Sequence, residues 1–385
     1  MQTWRWLYKP GKPFDRRFII RVLVKTALLF VALNAAFALL DPLPALGRLS
    51  LYNRVLPGRA RLPYGENPAA SYNLSLFSLE AMFAAHEVAR APARDEFRVL
   101  LIGDSAAWGI LLRPEETLAG QINAAGLVAA DGRRVRAYNL GYPTMSLTKD
   151  LLLLDYALAR TRADLIVWLF TLESFDAQAQ LDSPLVQHNP APTRALIARY
   201  GLAQDSADPR FVDLSAWDET LIGRRRALAD LLRLQLYGVP WAVTGIDQEY
   251  PADYTPRAVD LPADVTWHGL REDLFAPADL AFDVLRAGAE RAGDVPLLLV
   301  NEPMLISTGM NSDIRYNFFY PRWAYDAYRR LLLEERDAHG WALLDLGAAI
   351  PDADCYTDSA VHLTPACSAD LAGTVGAAIV EASGG

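Results

Sequence analysis

Apolar and polar positions divide the chain into parts of different character. A basic stretch opens the sequence and is followed by an apolar run over residues 26–40, in which Thr26 and Asn34 are the polar side chains. A stretch rich in Pro, Gly and Arg comes next, and residues 73–90 then have the apolar spacing of an amphipathic helix. From residue 97 onwards, short apolar runs alternate with helical periodicities, which predicts an α/β fold.

The alternation of strands and helices predicts the layout of the main domain. The predicted strands cover residues 97–102, 134–139, 164–170, 295–300 and 341–345. The predicted helices cover residues 115–126, 148–160 and 323–339, and a last helix begins at Thr364 and Pro365. Because strands that alternate with helices pair in parallel through right-handed crossovers, we expect a mostly parallel sheet with helices on its faces.

The interval over residues 174–294 is too long for a single crossover between two neighbouring strands. It contains helical periodicity at residues 193–200 and 221–237, and we expect an inserted cap over the carboxyl edge of the sheet. The second helical segment combines several leucines with three arginines at residues 224–226. Two interpretations stay open for it, namely packing onto the main domain and contact with a membrane surface.

The N-terminal apolar run has the character of a membrane anchor. Extended back to Ile19, it reaches the length of a membrane-spanning helix, with Arg21 and Lys25 at the level of the lipid headgroups. Basic residues before the run favour a cytoplasmic N-terminus and export of everything that follows. Two alternatives stay open, a signal peptide cleaved near residues 36–38 and a buried helix of a soluble protein.

The chain is therefore predicted to have four parts: a basic cytoplasmic segment at residues 1–17, a transmembrane anchor at 18–40, a juxtamembrane arm at 41–96 and a main domain at 97–385. Its 385 residues, of which 52% are hydrophobic, are enough to bury a large core. A formal net charge of −9 argues against a nucleic-acid partner. The sequence has neither a Gly-rich phosphate loop nor metal-ligand spacing, so no cofactor and no metal are predicted.

The tripeptide Gly103-Asp104-Ser105 directly follows the first predicted strand. A serine in this position lies at the carboxyl edge of a parallel sheet, where such folds bind ligands, and at the start of a helix whose free N–H groups attract an oxyanion. Late in the chain, Asp358 and His362 stand close together in the sequence. A nucleophile followed much later by an acid and a base predicts ester hydrolysis or acyl transfer. Asp104 is expected to accept a hydrogen bond within the serine turn.

These residues resemble the SGNH/GDSL hydrolase superfamily, and within it the membrane-anchored bacterial members linked to acyl chemistry of the cell envelope. The resemblance covers most of the main domain and is interrupted by the insertion. It implies a flavodoxin-like three-layer α/β/α sandwich, with Ser105 as nucleophile, His362 as general base and Asp358 as the residue that orients the imidazole. Asp358 precedes His362 by four residues where the family has three, and Asp352 and Asp354 stay open as alternative orienting residues.

The oxyanion hole that the resemblance implies departs from the family pattern in the second family block. This block, Asn-x-Gly-x-x-Gly, corresponds to residues 139–144, where Gly141 matches and Thr144 stands in place of the last glycine. The candidate backbone donors are the N–H groups of Ser105 and Thr144, with Gly141 as an alternative.

A second departure lies after the central strand. Glu173 occupies the position of the asparagine that the third family block, Gly-x-Asn-Asp, uses as an oxyanion donor. An ionised carboxylate beside a developing oxyanion opposes the chemistry, so we expect Glu173 to be protonated, turned away or used in another role, or the alignment to be shifted by a residue. Asn301, at the end of the fourth predicted strand, is a candidate replacement donor.

The two cysteines of the chain, Cys355 and Cys367, bracket Asp358 and His362. In an exported domain we expect a disulfide between them, which would hold the loop that carries His362 in register. Two unpaired, buried cysteines are the alternative.

The sequence as a whole predicts two-step acyl transfer through an acyl-enzyme, by a serine esterase or an O-acyltransferase. Export and membrane attachment favour an acylated glycan or lipid of the envelope as substrate, and a membrane acyltransferase is a candidate partner. The alternative is a domain of the same fold that has lost catalysis and serves as a carbohydrate-binding or assembly subunit of a membrane complex.

Overall fold

A five-stranded parallel sheet forms the centre of the molecule. The computed structural model describes residues 15–65, 74–249 and 253–384. Most of the predicted cytoplasmic segment and the first residue of the predicted helix at 73–90 lie outside these ranges. The strands are β1 (Glu96–Ile102), β2 (Arg134–Asn139), β3 (Leu165–Phe170), β4 (Leu297–Asn301) and β5 (Ala342–Asp345).

The strands lie in the order β2-β1-β3-β4-β5, and all four neighbouring pairs are parallel. The predicted α/β fold with a parallel sheet is therefore confirmed. This order is the doubly wound order of flavodoxin-like sheets, in which the direction of winding reverses between the first and third strands. The crevice at the carboxyl ends of β1 and β3 is where such a sheet is expected to bind a ligand.

Helices surround the sheet and extend away from it. They are α1 (Arg16–Leu40), α2 (Leu43–Gly47), α3 (Leu51–Val55), α4 (Leu79–Ala85), α5 (Ser105–Trp108), α6 (Leu118–Ala124), α7 (Leu147–Leu158), α8 (Pro184–Gln187), α9 (Pro190–Tyr200), α10 (Arg225–Thr244), α11 (Phe282–Ala292), α12 (Arg322–His339) and α13 (Pro365–Ala382).

Helices cover both faces of the sheet. Successive residues of each strand point to opposite sides, so each strand contributes side chains to both faces. Leu100 and Ile102 of β1 belong to an apolar cluster with α7, α11 and α12, whereas Val99 and Leu101 belong to a second cluster with α6 and α13. All six residues of β3 are buried. The result is three layers, and each large apolar side chain buried in them contributes about 1.5–3 kcal/mol.

Helix α11 approaches the sheet closely. At Gly288 a Cβ atom would lie 2.0 Å from the ring of Trp168, so this contact needs a residue without a side chain. Helix α11 is thus the crossover helix between β3 and β4. The predicted insertion at residues 174–294 contains this helix together with the true insertion, which a bridge between Asp176 and Leu280 closes at its base.

Two parts of the insertion make the contacts that bear on the predicted cap. Helix α10 packs on α2 and α3 of the N-terminal arm, where Tyr52 donates a hydrogen bond of 2.6 Å to Asp247 and Arg59 forms an ion pair with the same carboxylate. The part that follows contacts loops at the carboxyl edge, since the N–H of Arg257 donates to the carbonyl of Thr357 at 2.9 Å. The expectation of a cap over this edge therefore applies to residues after α10, whereas α10 itself joins the arm.

Helix α1 has 25 residues and is long and apolar enough to cross a membrane, which makes it a candidate anchor or signal sequence. Its residues from Arg16 to Leu33 are exposed, and its first buried residue is Asn34.

Two predicted helices differ most from the observed ones. The α-helix predicted at 73–90 is found only over Leu79–Ala85, because His86 adopts extended backbone and accepts a hydrogen bond from the N–H of Val88 through its ring. The helix predicted at 221–237 begins at Arg225 and runs through Pro240 until Gly245, whose φ of 70° ends it. Neither difference moves a candidate site residue.

Candidate active site

The serine turn is a tight connection between β1 and α5. At Gly103 a Cβ atom would lie 2.8 Å from the Cβ of Ala107 and 3.0 Å from the carbonyl oxygen of Leu169 on β3, so only glycine fits. Asp104 is buried and caps α5 by accepting a hydrogen bond of 2.8 Å from the N–H of Ala106. This turn presents Ser105 at the carboxyl edge of the sheet, in the crevice between β1 and β3.

Three of the predicted site residues come together at this turn. Nε2 of His362 lies 2.8 Å from Oγ of Ser105, 257 residues away in the sequence, and Nδ1 of His362 lies 2.7 Å from Oδ1 of Asp358. The carboxylate holds a proton on Nδ1, which leaves Nε2 free to accept the proton of the Ser105 hydroxyl. Ser105 and His362 are each 8% exposed, so water has limited access to the pair.

The loop that carries Asp358 and His362 explains their spacing of four residues. The N–H of Thr357 donates to the carbonyl of His362 at 2.9 Å, and its hydroxyl donates to Asp358 at 3.2 Å. The loop thus folds back on itself and brings Asp358 beneath the imidazole. Burial raises the pKa of Asp358, but the hydrogen bond and the charge of His362 outweigh it and hold that pKa below its ordinary value.

The two alternative orienting residues make other contacts. Asp352 caps a turn of 3₁₀ helix by accepting a hydrogen bond of 2.9 Å from the N–H of Asp354, and Asp354 forms an ion pair with Arg257. Of the three aspartates considered from the sequence, Asp358 is therefore the one that contacts His362.

Cys355 and Cys367 form a disulfide that closes a segment of the chain around Asp358 and His362. Because the bridge restricts the unfolded chain, replacing both cysteines by serine should lower the free energy of unfolding by about 3 kcal/mol. Urea unfolding of the wild type and of the double variant measures this difference. A matched control is the wild type under a reducing agent, which should lose the same amount. Equal stability of all three samples would show that the bridge contributes nothing.

Two backbone N–H groups face no acceptor at the serine turn and the neighbouring loop. Within the described part of the chain, neither the N–H of Ser105 nor that of Thr144 donates a hydrogen bond. Thr144 has a φ of 115°, a region that favours glycine, and its hydroxyl bonds to Ser183 at 2.9 Å. A β-branched residue in this region is strained, and such strain is typical of sites where function fixes the backbone.

The other two candidate oxyanion donors, Gly141 and Asn301, already donate to other groups, which corrects their predicted role. The N–H of Gly141 donates to Oδ1 of Asn139 at 3.0 Å and is already used. Gly141 instead allows close packing, since a Cβ there would lie 2.5 Å from the backbone nitrogen of Trp108. The amide of Asn301 is buried and donates to Tyr325 and to Asp345, so it supports the end of the sheet rather than an oxyanion.

Glu173 makes an ion pair that the sequence did not reveal. Its Oε1 lies 2.7 Å from Nε2 of His268 in the insertion, and Asp176 lies 3.9 Å from the same nitrogen. His268 occupies a turn with a φ of 49°. The hydrogen bond to Glu173 outweighs partial burial and raises the pKa of His268. Glu173 is thus paired with a residue of the insertion, and its charge is balanced when His268 is protonated.

This ion pair predicts a pH dependence of stability. Because the folded protein raises the pKa of His268, the pair stabilises the fold fully below the ordinary histidine pKa of about 6.5, and the contribution is lost as the pH rises through the folded pKa. Thermal unfolding followed from mildly acidic to alkaline pH should therefore show a decline in stability that Glu173→Gln removes. An identical decline in Glu173→Gln would mean that other groups cause it.

Lys149 connects the serine turn with the loop of Thr144. Its Nζ donates to the carbonyls of Gly103 at 2.7 Å and Tyr142 at 2.9 Å, and it forms an ion pair of 2.5 Å with Asp150. These carbonyls directly precede the two segments that carry Ser105 and Thr144. A fully buried ammonium group therefore holds both segments in fixed relation.

Three carboxyl groups share the buried region around Lys149. Burial, partly offset by Lys149, raises the pKa of Asp150 to about 6. Burial and the nearby carboxyls of Asp104 and Asp150 raise the pKa of Glu302 well above its ordinary value. Both oxygens of Glu302 lack a hydrogen-bond partner among the described residues, and a protonated, neutral Glu302 avoids a further buried charge.

A small apolar cavity lies beside His362. Its lining includes Ala106, Ile110, Leu112, Leu118, Leu169, Val361, Leu363 and Leu371, with Glu302 and His362 among them. Among the described residues, no three His, Cys, Asp or Glu side chains form a cluster suited to a metal ion. The arrangement offers a hydroxyl, a base and two free N–H groups, which are the parts needed for acyl chemistry.

Comparisons with known proteins identify distant likenesses. No family model and no curated protein matches the chain. Among solved structures, an aryl esterase of M. smegmatis is 14% identical, covers 73% of this chain and 97% of its own, and has a TM-score of 0.34. A carbohydrate acetylesterase family member from Sinorhizobium meliloti is 13% identical, with coverages of 74% and 99% and a TM-score of 0.35. A lipase/acylhydrolase from Enterococcus faecalis is 13% identical, with coverages of 74% and 95% and a TM-score of 0.36. Likenesses this distant leave the activity to be inferred from the chain's own side chains.

Proposed function

We propose that the chain is a serine ester hydrolase that works through an acyl-enzyme on Ser105. The observation that carries the proposal is the hydrogen-bonded series Ser105–His362–Asp358 at the carboxyl edge of the sheet. A serine hydroxyl is a weak nucleophile by itself, and a neutral imidazole at 2.8 Å is the base that activates it.

The first chemical step forms the acyl-enzyme. Nε2 of His362 takes the hydroxyl proton while Oγ of Ser105 attacks the ester carbonyl, whose oxygen becomes an oxyanion. Asp358 stabilises the imidazolium that forms. The protonated His362 then gives its proton to the departing alcohol oxygen as the carbon–oxygen bond breaks. Water then gives a proton to His362 and attacks the acyl-enzyme. His362 returns this proton to Oγ of Ser105 as the acid is released.

The oxyanion needs two or more fixed donors at the point where its charge develops. We assign this task to the N–H groups of Ser105 and Thr144, which donate to no acceptor within the described ranges. Lys149 supports both donors through the carbonyls of Gly103 and Tyr142. One such donor contributes about 2.7–4 kcal/mol to transition-state stabilisation.

Transfer of the acyl group to a hydroxyl other than water is the second candidate. It is favoured by Glu173 and His268, a partly exposed carboxylate–imidazole pair whose carboxylate directly follows β3 at the same edge of the sheet. Such a pair is able to bind the hydroxyl of a sugar acceptor. With an aryl acetate and an added polyol, hydrolysis releases phenol and acetate in equal amounts, whereas transfer places part of the acetyl on the polyol.

The location that fits this activity best is the outer face of a membrane, with α1 as a retained anchor. Arg16, Arg17, Arg21 and Lys25 lie in the first part of α1 and favour a cytoplasmic N-terminus. An acylated glycan or lipid of the envelope is then the substrate class within reach. A membrane acyltransferase as a partner of this chain is part of the same proposal.

This topology predicts the behaviour of reporter fusions. A reporter fused after residue 60 should be active only when its activity requires export, because the chain has then crossed the membrane once. A reporter fused after residue 15, before the apolar run, is the matched control and should be active only in the cytoplasm. Cytoplasmic activity of the first fusion would contradict the proposed location.

A further inference from the structure

Helix α10 has a second apolar face that the described part of the chain leaves uncovered. One face, with Leu231, Leu234 and Gly238, is buried. Another face is exposed, with exposed fractions of 52% for Leu232, 72% for Leu236, 39% for Val239 and 71% for Val243. Positions spaced by four, seven and eleven residues lie on one side of a helix. An uncovered apolar stripe of this length marks an interaction surface.

The contacts of α1 set the level of this stripe relative to a membrane. The first buried residue of α1 is Asn34, whose side chain accepts a hydrogen bond of 3.1 Å from the N–H of Ile222, just before α10 begins. Leu39 and Leu40 lie beyond that contact and are 87% and 77% exposed. At a rise of 1.5 Å per residue, the helix continues for roughly 9 Å past Asn34.

The length of the apolar run indicates how close the lipid lies to α10. A bilayer core about 30 Å thick needs about 20 helical residues. The apolar run reaches this length only when it is extended back to Ile19 and includes its last residues, so the part beyond Asn34 must be in contact with lipid. The helix therefore leaves the lipid near Leu40, and Ile222, at the level of Asn34, lies within roughly 9 Å of the boundary between lipid and water.

The residues around the stripe have the chemistry of this boundary. Arg225, Arg226 and Arg233 of α10 are exposed and suited to anionic headgroups. Tyr237 and Trp217 are 50% and 59% exposed, and such aromatic residues are enriched at membrane–water interfaces. Basic and aromatic residues beside an apolar stripe favour lipid over a second protein as the occupant.

We infer that α10 lies in the outer lipid–water boundary of the membrane that α1 enters, with Leu232, Leu236 and Val243 directed to the acyl chains. The inference rests on the proposed membrane insertion of α1 and is independent of the proposed chemistry. Two attachments, one through α1 and one through α10, prevent rotation of the domain about α1. The domain therefore keeps one orientation to the membrane surface.

Nitroxide labels on the full chain test the inference. The two native cysteines are paired, so single cysteines introduced by Leu236→Cys, Val243→Cys, Arg233→Cys and Leu28→Cys react alone. Each labelled chain is placed in vesicles of phosphatidylcholine and phosphatidylglycerol. Collisions of the label with oxygen, which concentrates in lipid, are compared with collisions with a water-soluble nickel chelate. Unchanged thermal unfolding in detergent checks that each variant is folded.

At positions 28, 236 and 243 we expect the ratio of oxygen to nickel collisions to exceed that at position 233 several-fold. If position 28 has the lipid pattern while 236 and 243 resemble 233, the inference is overturned and the anchor stands. If both reagents are excluded from 236 and 243, a protein covers the stripe and the inference is also overturned. If position 28 itself has the aqueous pattern, the proposed anchor fails and the inference fails with it.

Discussion

Replacing Ser105 by alanine is expected to abolish hydrolysis of a small aryl acetate, and His362→Ala is expected to lower it almost as far. The hydroxyl and the imidazole act as one unit, because the proton that leaves Oγ is the proton that Nε2 receives over 2.8 Å. In serine hydrolases of this type, loss of either member costs about 10⁶-fold in kcat. Steady-state kinetics of the purified full chain in detergent measure the effect.

The double variant separates a shared mechanism from two independent losses. If Ser105 and His362 act together, Ser105→Ala/His362→Ala should be no slower than either single variant. Ser206→Ala, an exposed serine, is the matched control and should keep wild-type activity. Retention of more than a small part of the activity in Ser105→Ala would assign the nucleophile to another residue.

Asp358→Asn is expected to lower kcat by about 10⁴-fold while the fold is kept. The asparagine amide can donate a proton to Nδ1, which favours the tautomer with the proton on Nε2. That tautomer cannot accept the Ser105 proton. The loss should therefore appear in kcat, with little change in the unfolding temperature.

The neighbouring aspartates provide the controls for this variant. Asp352→Asn and Asp354→Asn change the same charge in the same segment, but their carboxylates contact the backbone of Asp354 and Arg257 rather than His362. Both should keep activity within a few-fold of the wild type. If Asp354→Asn loses as much activity as Asp358→Asn, the loss comes from the conformation of the loop and not from the orientation of His362.

Features that depend on local pattern were predictable from the sequence. The apolar runs gave the strands within a few residues, because a buried parallel strand is almost continuously apolar, as in Leu165–Phe170. The position of Ser105 follows from the end of β1. The pairing of Asp358 with His362 was expected from the family resemblance, although their spacing departs from it. The loop folds back on itself, because the N–H of Thr357 donates to the carbonyl of His362, and this allows Asp358 to reach His362 in spite of the longer spacing.

Features that depend on contacts between distant segments were not predictable. Asn301 stood at a suitable strand end, but Tyr325, Tyr328 and Asp345 occupy its amide, and no local pattern reveals such a network. Lys149 stands in a leucine-rich helix, where a lysine is ordinarily solvated. Its burial depends on two carbonyls from other segments.

The ion pair between Glu173 and His268 also depends on a contact between distant segments. The two residues lie on either side of α9 and α10 in the sequence, and only the folded insertion brings them together. A histidine followed by glycine in a turn was the only local signal, and it indicates a turn rather than a partner. Glu173 was recognised as unusual from the sequence because it departs from the family pattern, but its partner was not.

Covalent labelling by a fluorophosphonate is a direct test of Ser105 as the nucleophile, because the reagent reacts with a serine only where a base and an oxyanion site activate it. We expect the folded wild type to gain one phosphonyl group, which peptide mapping by mass spectrometry should locate on Ser105. Denatured wild type and folded Ser105→Ala should gain none. A folded wild type that remains unlabelled, or a label that persists in Ser105→Ala, would contradict the account and leave the non-catalytic subunit as the better description of the chain.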